Sequence, residues 1–510
     1  MLNHLPILQV IVPLLAAPSC LIINKARLAW VFAVFASMAT WVISVALCLQ
    51  VTSGGIISYS LGGWDAPWGI EYRIDALNVY VLLIISSIST VVLWAAYDSI
   101  QREVEEHRQP FFYVIYLLCL AGLLGMTAAG DVFNVFVFLE ISSLATYTLI
   151  GMGRDRRALI AAYQYLIVGT IGATFFLVGV GFVYSMTGTL NMQDLAERLP
   201  ELSSTRTVIA ALAFIVVGIC LKLALFPLHL WLPNAYAYAP SIAAAFLAAS
   251  ATKVALYLLI RFSYTVFSIE FVFGSLPVSA IFVSLGFMGV FIASLVAIYQ
   301  SDIKRMFAYS SVAQIGYMIV GFGLGSATGL QAALLHMFNH ALMKGALFLA
   351  LAAVVYRVAN PDISSMRGLG RRMPWTMAAI VVGGLSLIGM PLTAGFVSKW
   401  YLVLAALEAN AWPVAMLVVL GSLLTIAYVW RIVETAYFAS DSAPDNAPDS
   451  VSGFAPGSVS AARLNKMEAP LSLLIPTWIL VLANIYFGID TRLSVTLSEQ
   501  AAVYLMGVTP

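Results

Sequence analysis

A succession of apolar segments, each long enough to cross a lipid bilayer, limits the folds that are open to this chain. About 20 apolar residues span the hydrocarbon core of a membrane, and we count fourteen such segments separated by more polar stretches. Hydrophobic residues make up 62% of the 510 residues and charged residues only 10%, which is typical of a polytopic membrane protein. We therefore predict an all-α membrane protein with about fourteen transmembrane helices. The predicted spans are 5–24, 28–50, 74–97, 111–128, 131–152, 160–186, 206–229, 242–264, 275–299, 304–324, 329–357, 374–406, 411–436 and 470–489.

The basic residues predict the orientation of these helices, because Lys and Arg concentrate in cytoplasmic loops. With the N-terminus on the outer face, sixteen of the 25 basic residues fall in inner loops and five in outer loops. This distribution favours both termini on the outer face and an even number of helices. The sixteen are Lys25, Arg27, Arg102, Arg108, Arg154, Arg156, Arg157, Lys304, Arg305, Arg357, Arg367, Arg371, Arg372, Arg431, Arg463 and Lys466, and the five are Arg73, Arg198, Arg206, Arg261 and Arg492.

After this assignment, four lysines and one deeply placed carboxylate remain inside the predicted helices. Glu140 lies near the middle of the fifth, in "DVFNVFVFLEISSLATYTLIGMG", where a charged side chain costs roughly 2.5–3.5 kcal/mol to insert. Four lysines, Lys222, Lys253, Lys344 and Lys399, also lie within predicted helices, and Lys222 is our candidate partner for Glu140. A static structural ion pair is the alternative, but it leaves three lysines unpaired. Unpaired intramembrane lysines are more easily explained as members of a hydrated proton path.

Two predicted helices carry helix-breaking residues close to a buried lysine. In the seventh, Pro227 removes a backbone hydrogen bond beside Lys222, and in the twelfth, Gly389 and Pro391 precede Lys399. Interrupted helices at corresponding places in two halves are typical of an inverted repeat and flank the ion path in transporters. We therefore predict two inverted five-helix repeats, helices 4–8 and helices 9–13, with helices 7 and 12 broken.

The predicted divisions of the chain follow from these repeats. They are residues 1–110 for helices 1–3, residues 111–264 for the first repeat, residues 275–436 for the second, residues 437–469 for a flexible cytoplasmic loop rich in Pro, Ser, Gly and Asp, and residues 470–510 for helix 14 and a C-terminal tail.

Predicted helix 11 carries a polar stripe. His336, His340 and Lys344 follow at i, i+4 and i+8, so they lie on one face of a helix. Such a stripe can hold a chain of waters and pass protons, since His titrates near neutral pH. Two alternatives are a metal site, for which no nearby Cys or carboxylate completes the ligand set, and a pair of polar side chains that joins neighbouring helices.

Composition excludes several other functions. The four cysteines all lie in apolar runs without C-x-x-C or Cys/His spacing, which predicts that this chain holds no iron–sulfur cluster, zinc ion or disulfide. The net charge of +1 and the lack of a basic tract argue against nucleic acid as a partner. We predict no cofactor and no metal for this chain.

Six segments resemble the antiporter-like subunits shared by Mrp-type multisubunit cation/proton antiporters, respiratory complex I and membrane-bound hydrogenases. The similarity covers nearly the whole length and is strongest from predicted helix 4 to helix 12. The segments are "FNVFVFLEISSLATY", "LKLALFPLHLWLPNAYAYAPS", "ATKVALYLLIRF", "SDIKRMFAYSSVAQIGYM", "LLHMFNHALMKGALFL" and "GMPLTAGFVSKW".

The resemblance implies a role for each buried charged residue. The implied roles are a coupling pair for Glu140 and Lys222, a bridging lysine for Lys253, the central axis for His336, His340 and Lys344, and the terminal group for Lys399. The complex I subunit of similar length usually has Glu where this chain has Lys399. The chain therefore looks most like the D-type subunit of the Mrp-type antiporters.

Three functions follow from the resemblance and the buried charges. The leading hypothesis is a proton-translocating subunit of an antiporter that exchanges Na⁺, or another monovalent cation, for protons in the bacterial cytoplasmic membrane, assembled with other membrane subunits. The second is a proton-pumping module of a redox enzyme such as a hydrogenase or a complex I relative, and the third is a purely architectural subunit. Because hard cations need several oxygen ligands and Glu140 is the only deep anion we find, we expect this chain to carry protons and a neighbour to carry the cation.

Overall fold

A computed structural model describes residues 2–23, 25–359, 361–439 and 467–507. Within these ranges the chain forms twenty α-helices and one two-stranded sheet. The helices are α1 (Leu5–Ile23), α2 (Ala26–Gly54), α3 (Ala76–Trp94), α4 (Ala96–Glu103), α5 (Gln109–Ala128), α6 (Val132–Gly151), α7 (Arg156–Thr187), α8 (Met192–Leu202), α9 (Arg206–Leu223), α10 (Trp231–Tyr238), α11 (Ser241–Arg261), α12 (Val278–Ile298), α13 (Ile303–Gly323), α14 (Ala327–Val358), α15 (Leu369–Arg372), α16 (Pro374–Ile388), α17 (Ala394–Glu408), α18 (Trp412–Tyr437), α19 (Leu471–Ile489) and α20 (Arg492–Met506). Most of the predicted flexible loop, residues 440–466, lies outside the described residues.

The predicted fold class is confirmed. Among the described residues, twelve helical segments are long and apolar enough to cross a membrane by themselves. The other two predicted spans correspond to α13 and to the broken pair α16 and α17. The chain is therefore an all-α polytopic membrane protein with the fourteen predicted spans in their predicted order.

Both predicted helix breaks are present. Residues 224–230 separate α9 from α10, and residues 389–393 separate α16 from α17. Pro227 and Pro391 lie within these breaks, where the missing backbone N–H cannot continue a helix. Gly389 ends α16 with φ 90, a left-handed conformation that glycine adopts without a steric penalty.

Aspartate side chains stabilise the starts of three helices. The side chains of Asp75, Asp131 and Asp302 accept backbone N–H groups in the first turns of α3, α6 and α13. A carboxylate at this position satisfies otherwise unbonded N–H groups and interacts favourably with the positive end of the helix dipole. These helix starts are thus determined locally by the sequence.

Several elements were not predicted. The strands β1 (Ile57–Ser60) and β2 (Glu71–Ile74) pair as an antiparallel hairpin, and α4, α8 and α15 lie in segments that we predicted as loops. Residues 492–506, predicted as part of a tail, form α20, which packs on α3 and α14. A search for apolar segments of membrane-spanning length does not detect these short elements.

The interior is built around α11 and α14. Every residue of α11 except Ala251 is buried, and most of α14 is buried as well. In contrast, α1, α2, α7 and α18 leave large apolar side chains exposed, as expected of helices that face lipid or a neighbouring subunit. Lys253 and Arg261 of α11 and His336, His340 and Lys344 of α14 are therefore enclosed by other helices.

Candidate functional site

The first part of the site lies between α6 and α9. Lys222, in the last turn of α9, donates from Nζ to Ser143 Oγ at 2.5 Å and to Tyr147 OH at 3.1 Å. Its ammonium also lies 5.5 Å from the ring centre of Tyr147 and 5.7 Å from that of Tyr165. Hydroxyl groups and aromatic rings thus hold this buried cation.

Glu140 lies on the same face of α6 as these hydroxyls, one turn before Ser143. Its Oε1 atom is buried and accepts no hydrogen bond from the described residues. The carboxylate acts electrostatically on Lys222, but no contact of salt-bridge length joins the two side chains. The structure therefore places the predicted pair next to each other without direct contact.

The second part of the site is a stripe of polar groups along α14. The parallel rings of His336 and His340 have centroids 6.2 Å apart. His336 bridges two helices, because Nε2 lies 2.9 Å from Gln314 Oε1 of α13 and Nδ1 lies 2.9 Å from Ser398 Oγ of α17. An amide oxygen can only accept, so Nε2 donates to Gln314 Oε1.

Two further lysines lie beside this stripe. Lys344 donates from Nζ to the Phe307 carbonyl at 2.8 Å and also to the Ser310 hydroxyl, both of α13. Lys253 of α11 is fully buried, donates to the Ala248 carbonyl, and acts electrostatically on His336, His340 and Lys344. The stripe on α14 therefore lies between one lysine on α11 and the polar side chains of α13.

Lys399 is held by the break between α16 and α17. Its Nζ donates to the carbonyls of Leu387 and Ile388 at 2.9 and 3.0 Å and to Ser422 Oγ at 3.0 Å. The two carbonyls end α16, where the helix dipole concentrates negative partial charge. The helix break thus creates a cation site in the membrane interior.

Polar groups connect these lysines along α13. Ser310 contacts Lys344, Gln314 contacts His336, and the Tyr317 ring centre lies 4.7 Å from Lys399 Nζ. The polar atoms Nδ1 and Nε2 of His340, Nε2 of Gln314 and Oδ1 of Asn339 are buried without a partner among the described residues. Buried polar groups of this kind are usually satisfied by water, so the arrangement fits a hydrated chain of groups.

The site residues of α13 were missed by the sequence analysis. Ser310 and Gln314 are uncharged, and their function as partners depends on the position of α14. The short Ser, Gln and Tyr spacing in "AYSSVAQIGY" was the available signal. No hydrogen bond or ion pair joins the α6–α9 cluster directly to the side chains of the α14 stripe in the described ranges.

One buried ion pair was also missed, and it corrects two expectations. Arg261, assigned above to an outer loop, is buried at the end of α11 and lies 2.8 Å from Asp75 and 2.8 Å from Asn78 Oδ1. Asp75 is 1% exposed whereas Glu140 is half-buried, so Glu140 is not the only carboxylate in the interior. The pairing of Arg261 with Asp75 was undetected because 186 residues separate them.

The described residues offer no obvious metal centre. Within them, no group of three or more His, Cys, Asp and Glu side chains lies close enough to hold a metal ion. The nearest approach to such a site is the His336 and His340 pair, which lacks a carboxylate or thiolate beside it.

The fold and these buried groups define a class, a polytopic membrane protein with a chain of ionisable side chains in its interior. The sequence matches the family model "NADH:quinone oxidoreductase/Mrp antiporter, TM" over residues 129–425, more than half of the chain. The chain belongs to this family.

The relatives include both a protein named as an oxidoreductase subunit and proteins named as antiporter subunits. A protein of Desulforudis audaxviator, named as the N subunit of an NADH-quinone oxidoreductase, is 43% identical over 500 residues, 96% of each chain. The D subunit of the Na(+)/H(+) antiporter of Alkalihalophilus pseudofirmus is 32% identical over 86% of this chain and 87% of its own length. Among solved structures, a chain of the Mrp complex from Dietzia sp. is 25% identical with a TM-score of 0.88, covering 100% of this chain and 98% of that chain.

These comparisons confirm the family recognised from the sequence and the resemblance to the D-type antiporter subunits. They also show 43% identity to a protein named as an NADH-quinone oxidoreductase subunit, although Lys399 had argued against the complex I assignment. The chain is a membrane-embedded subunit of ion-transport type, in the family shared by Mrp antiporters and NADH:quinone oxidoreductases.

Proposed function

We propose that this chain is the proton-translocating subunit of a multisubunit antiporter that exchanges Na⁺, or another monovalent cation, for protons. The observation that carries the proposal is the row of contacts along α13, in which Ser310 contacts Lys344, Gln314 contacts His336 and Tyr317 lies beside Lys399. Each contact lies in the enclosed interior, where an ionisable residue is by default a functional candidate.

The proposed mechanism uses changes of charge on the buried lysines. Protonation near Lys253 and the α14 stripe changes the charge state of Lys222, whose interaction with Glu140 then changes. The resulting field favours a proton step along α13 toward Lys399. Since one elementary charge moved through 100 mV is worth about 2.3 kcal/mol, a few such steps suffice to drive exchange.

Antiport is the first candidate because two relatives of high coverage, the antiporter protein of A. pseudofirmus and the chain of the Mrp complex from Dietzia sp., belong to antiporter assemblies by name. The partners in this proposal are other membrane subunits of the complex, protons and a monovalent cation. Localisation to the bacterial cytoplasmic membrane, with both termini outside, is part of the same proposal.

The second candidate is a proton-pumping membrane subunit of a redox complex. It is favoured by one observation, the 43% identity to the D. audaxviator protein named as an NADH-quinone oxidoreductase component. The buried residues would do the same work, with energy supplied by electron transfer in other subunits. Neighbouring genes for flavin and iron–sulfur subunits would favour this candidate, and genes for small hydrophobic subunits would favour antiport.

Division into two inverted repeats is supported by a backbone hydrogen bond that occurs at equivalent places in both. At the start of α6, Val132 N donates to Leu190 O at 2.9 Å, and at the start of α13, Ile303 N donates to Pro361 O at 2.9 Å. In each case the start of the second helix of a five-helix unit is bonded to the loop that follows the third. We propose residues 111–264 and 275–436 as the two units on this basis.

Everted membrane vesicles from a host without its own antiporters provide the test. Respiration acidifies the vesicle lumen, NaCl is added, and a pH-sensitive dye reports whether the proton gradient falls. We expect sodium to collapse the gradient when the full operon is expressed, and Glu140→Ala to abolish this response. An assembled complex without any response would exclude sodium antiport and favour the redox candidate, which bound flavin and iron–sulfur clusters would then support.

A further inference from the structure

A cavity of about 880 Å³ opens on the face where the basic loops gather. Charged side chains from four separate segments line it. They include Arg102, Glu103, Arg154, Arg157, Lys304 and Arg357. Because its lining contains both basic and acidic side chains, the cavity is polar enough to admit water close to the interior helices.

Glu103 is held at the wall of this cavity by three elements. Its Oε2 accepts from the backbone N of Ser241 at 2.8 Å and from Ser241 Oγ at 2.9 Å, at the start of α11. Its Oε1 accepts from Ser99 Oγ at 2.6 Å, and Lys304 Nζ of α13 lies 3.9 Å away. The carboxylate therefore has a fixed position at the N-terminal end of an almost fully buried helix.

Lys304 lies deeper than Glu103. The side chain of Lys304 is 5% exposed and that of Glu103 is 17% exposed. Both side chains line the cavity, and Glu103 is the more exposed of the two to its water.

The helix α13 extends from Lys304 at the cavity to the buried site. Phe307, one turn after Lys304, accepts from Lys344 Nζ at 2.8 Å, and Ser310, in the following turn, also accepts from Lys344. Six residues of α-helix measure about 9 Å. The cavity wall and the ammonium of Lys344 are therefore about two helical turns apart along a single helix.

We propose that Glu103 is the group through which the buried chain exchanges protons with water on this face, and that Lys304 is the next polar group inward. The carboxylate takes a proton from a hydronium ion in the cavity, which leaves as water, and passes the proton toward the neutral amine of Lys344; release is the reverse of these steps. This proposal rests on the proposed proton translocation, to which it adds the place of entry or exit.

The Glu103→Gln variant separates proton exchange from structure. The glutamine oxygen still accepts from Ser241, so the fold around the start of α11 is retained, but the side chain no longer binds and releases a proton. We expect the exchange rate in everted vesicles to fall about tenfold, less than for an enclosed acid or base because cavity water partly replaces the lost group. Glu106→Gln, which changes an exposed carboxylate three residues away, is the control and should leave the rate unchanged.

A wild-type rate for Glu103→Gln in an assembled complex would overturn the proposal. A wild-type complex without exchange would instead contradict the proposed antiport. In that case, the accessibility of position 103 to a water-soluble reagent tests its place at the cavity without a transport assay. In a background with the four native cysteines replaced by alanine, Glu103→Cys should react with a membrane-impermeant maleimide from this face only, and faster than Lys304→Cys. Failure of Glu103→Cys to react, or reaction from the opposite face, would overturn it as well.

Discussion

Among single residues, four of the five buried lysines share one property: their ammonium groups contact neutral groups, whereas Lys304 lies 3.9 Å from the Glu103 carboxylate. Lys222 contacts hydroxyls, Lys253 and Lys344 contact a carbonyl and a hydroxyl each, and Lys399 contacts two carbonyls and a hydroxyl. None of the four makes a carboxylate contact of salt-bridge length within the described residues. Their charge can therefore change without leaving a buried anion unpaired, which is what proton transfer requires.

Substitution of His340 tests directly whether the buried polar groups transfer protons. Both of its ring nitrogens lack a partner among the described residues, so His340→Leu removes no direct hydrogen bond that joins helices. We expect normal assembly of the complex and a loss of cation-dependent proton exchange of about a hundredfold or more, the scale at which a positioned proton-transfer group contributes. The dye assay in everted vesicles measures the rate, and gel filtration of the solubilised complex measures assembly.

His107→Leu is the matched control for His340, because His107 is a surface histidine with 72% of its side chain exposed. Full exchange by the His340 variant would support the alternative in which the histidines only fill and join the helix interface.

Among the helices, the break between α16 and α17 determines where Lys399 lies. A Cβ atom on Gly389 would lie 2.9 Å from Lys399 Cδ, on a residue with φ +90. We expect Gly389→Ala to cost about 1–3 kcal/mol in backbone strain and to displace the ammonium from the carbonyls that end α16. Thermal unfolding of the solubilised complex and the vesicle assay would report both effects.

Gly181→Ala in α7 is the control, since its Cβ would meet nothing within 4 Å. Alanine is favoured over glycine in a helix by about 1 kcal/mol, so this variant should be as stable as wild type or more so. Equal unfolding temperatures and equal exchange rates for the two alanine variants would show that the left-handed turn at Gly389 is not required to position Lys399.

Across the molecule as a whole, the Asp75–Arg261 pair fastens the first helices to the interior. It joins the start of α3 to the end of α11, with Asn78 Oδ1 as a further acceptor for Arg261. Removing one member of a buried ion pair costs about 3–5 kcal/mol, because it leaves an uncompensated charge. We expect Asp75→Asn and Arg261→Gln each to lower the midpoint of thermal unfolding, and the double variant to recover part of the loss.

A double-mutant cycle on the solubilised complex measures this coupling. Strictly additive losses would mean that the two charges do not stabilise each other, and that α3 is held mainly by apolar packing.

The orientation of the whole molecule is a separate prediction. The cavity that contains Glu103 is lined by Arg102, Arg154, Arg157 and Arg357, which the distribution of basic residues assigns to the cytoplasmic side. Alkaline phosphatase fused after the C-terminus should therefore be active, because it would be exported, and a fluorescent protein at the same place should be dark. The opposite pattern would place the cavity outside and reverse the proposed direction of proton exchange.

Local composition was enough to define the spans, the two breaks and the four lysines within the spans. Span length follows from the apolar content of each segment, and the breaks follow from the backbone chemistry of Pro227, Gly389 and Pro391, which needs no distant partner. Residues such as Lys253 and His336 were found because charge or polarity in an apolar run is visible without a structure.

The contacts between these groups depend on how the helices pack. Lys222 bonds to Ser143, 79 residues away, and Arg261 bonds to Asp75, 186 residues away, so neither contact leaves a local pattern. The same reason explains why Gln314 was missed: it is an ordinary helix residue until α14 packs against it. The sequence alone determines which charged residues lie within the membrane-spanning segments, because hydropathy is a local property of the chain. Helix packing determines which groups surround those residues, because hydrogen bonds between helices join residues that are distant in sequence.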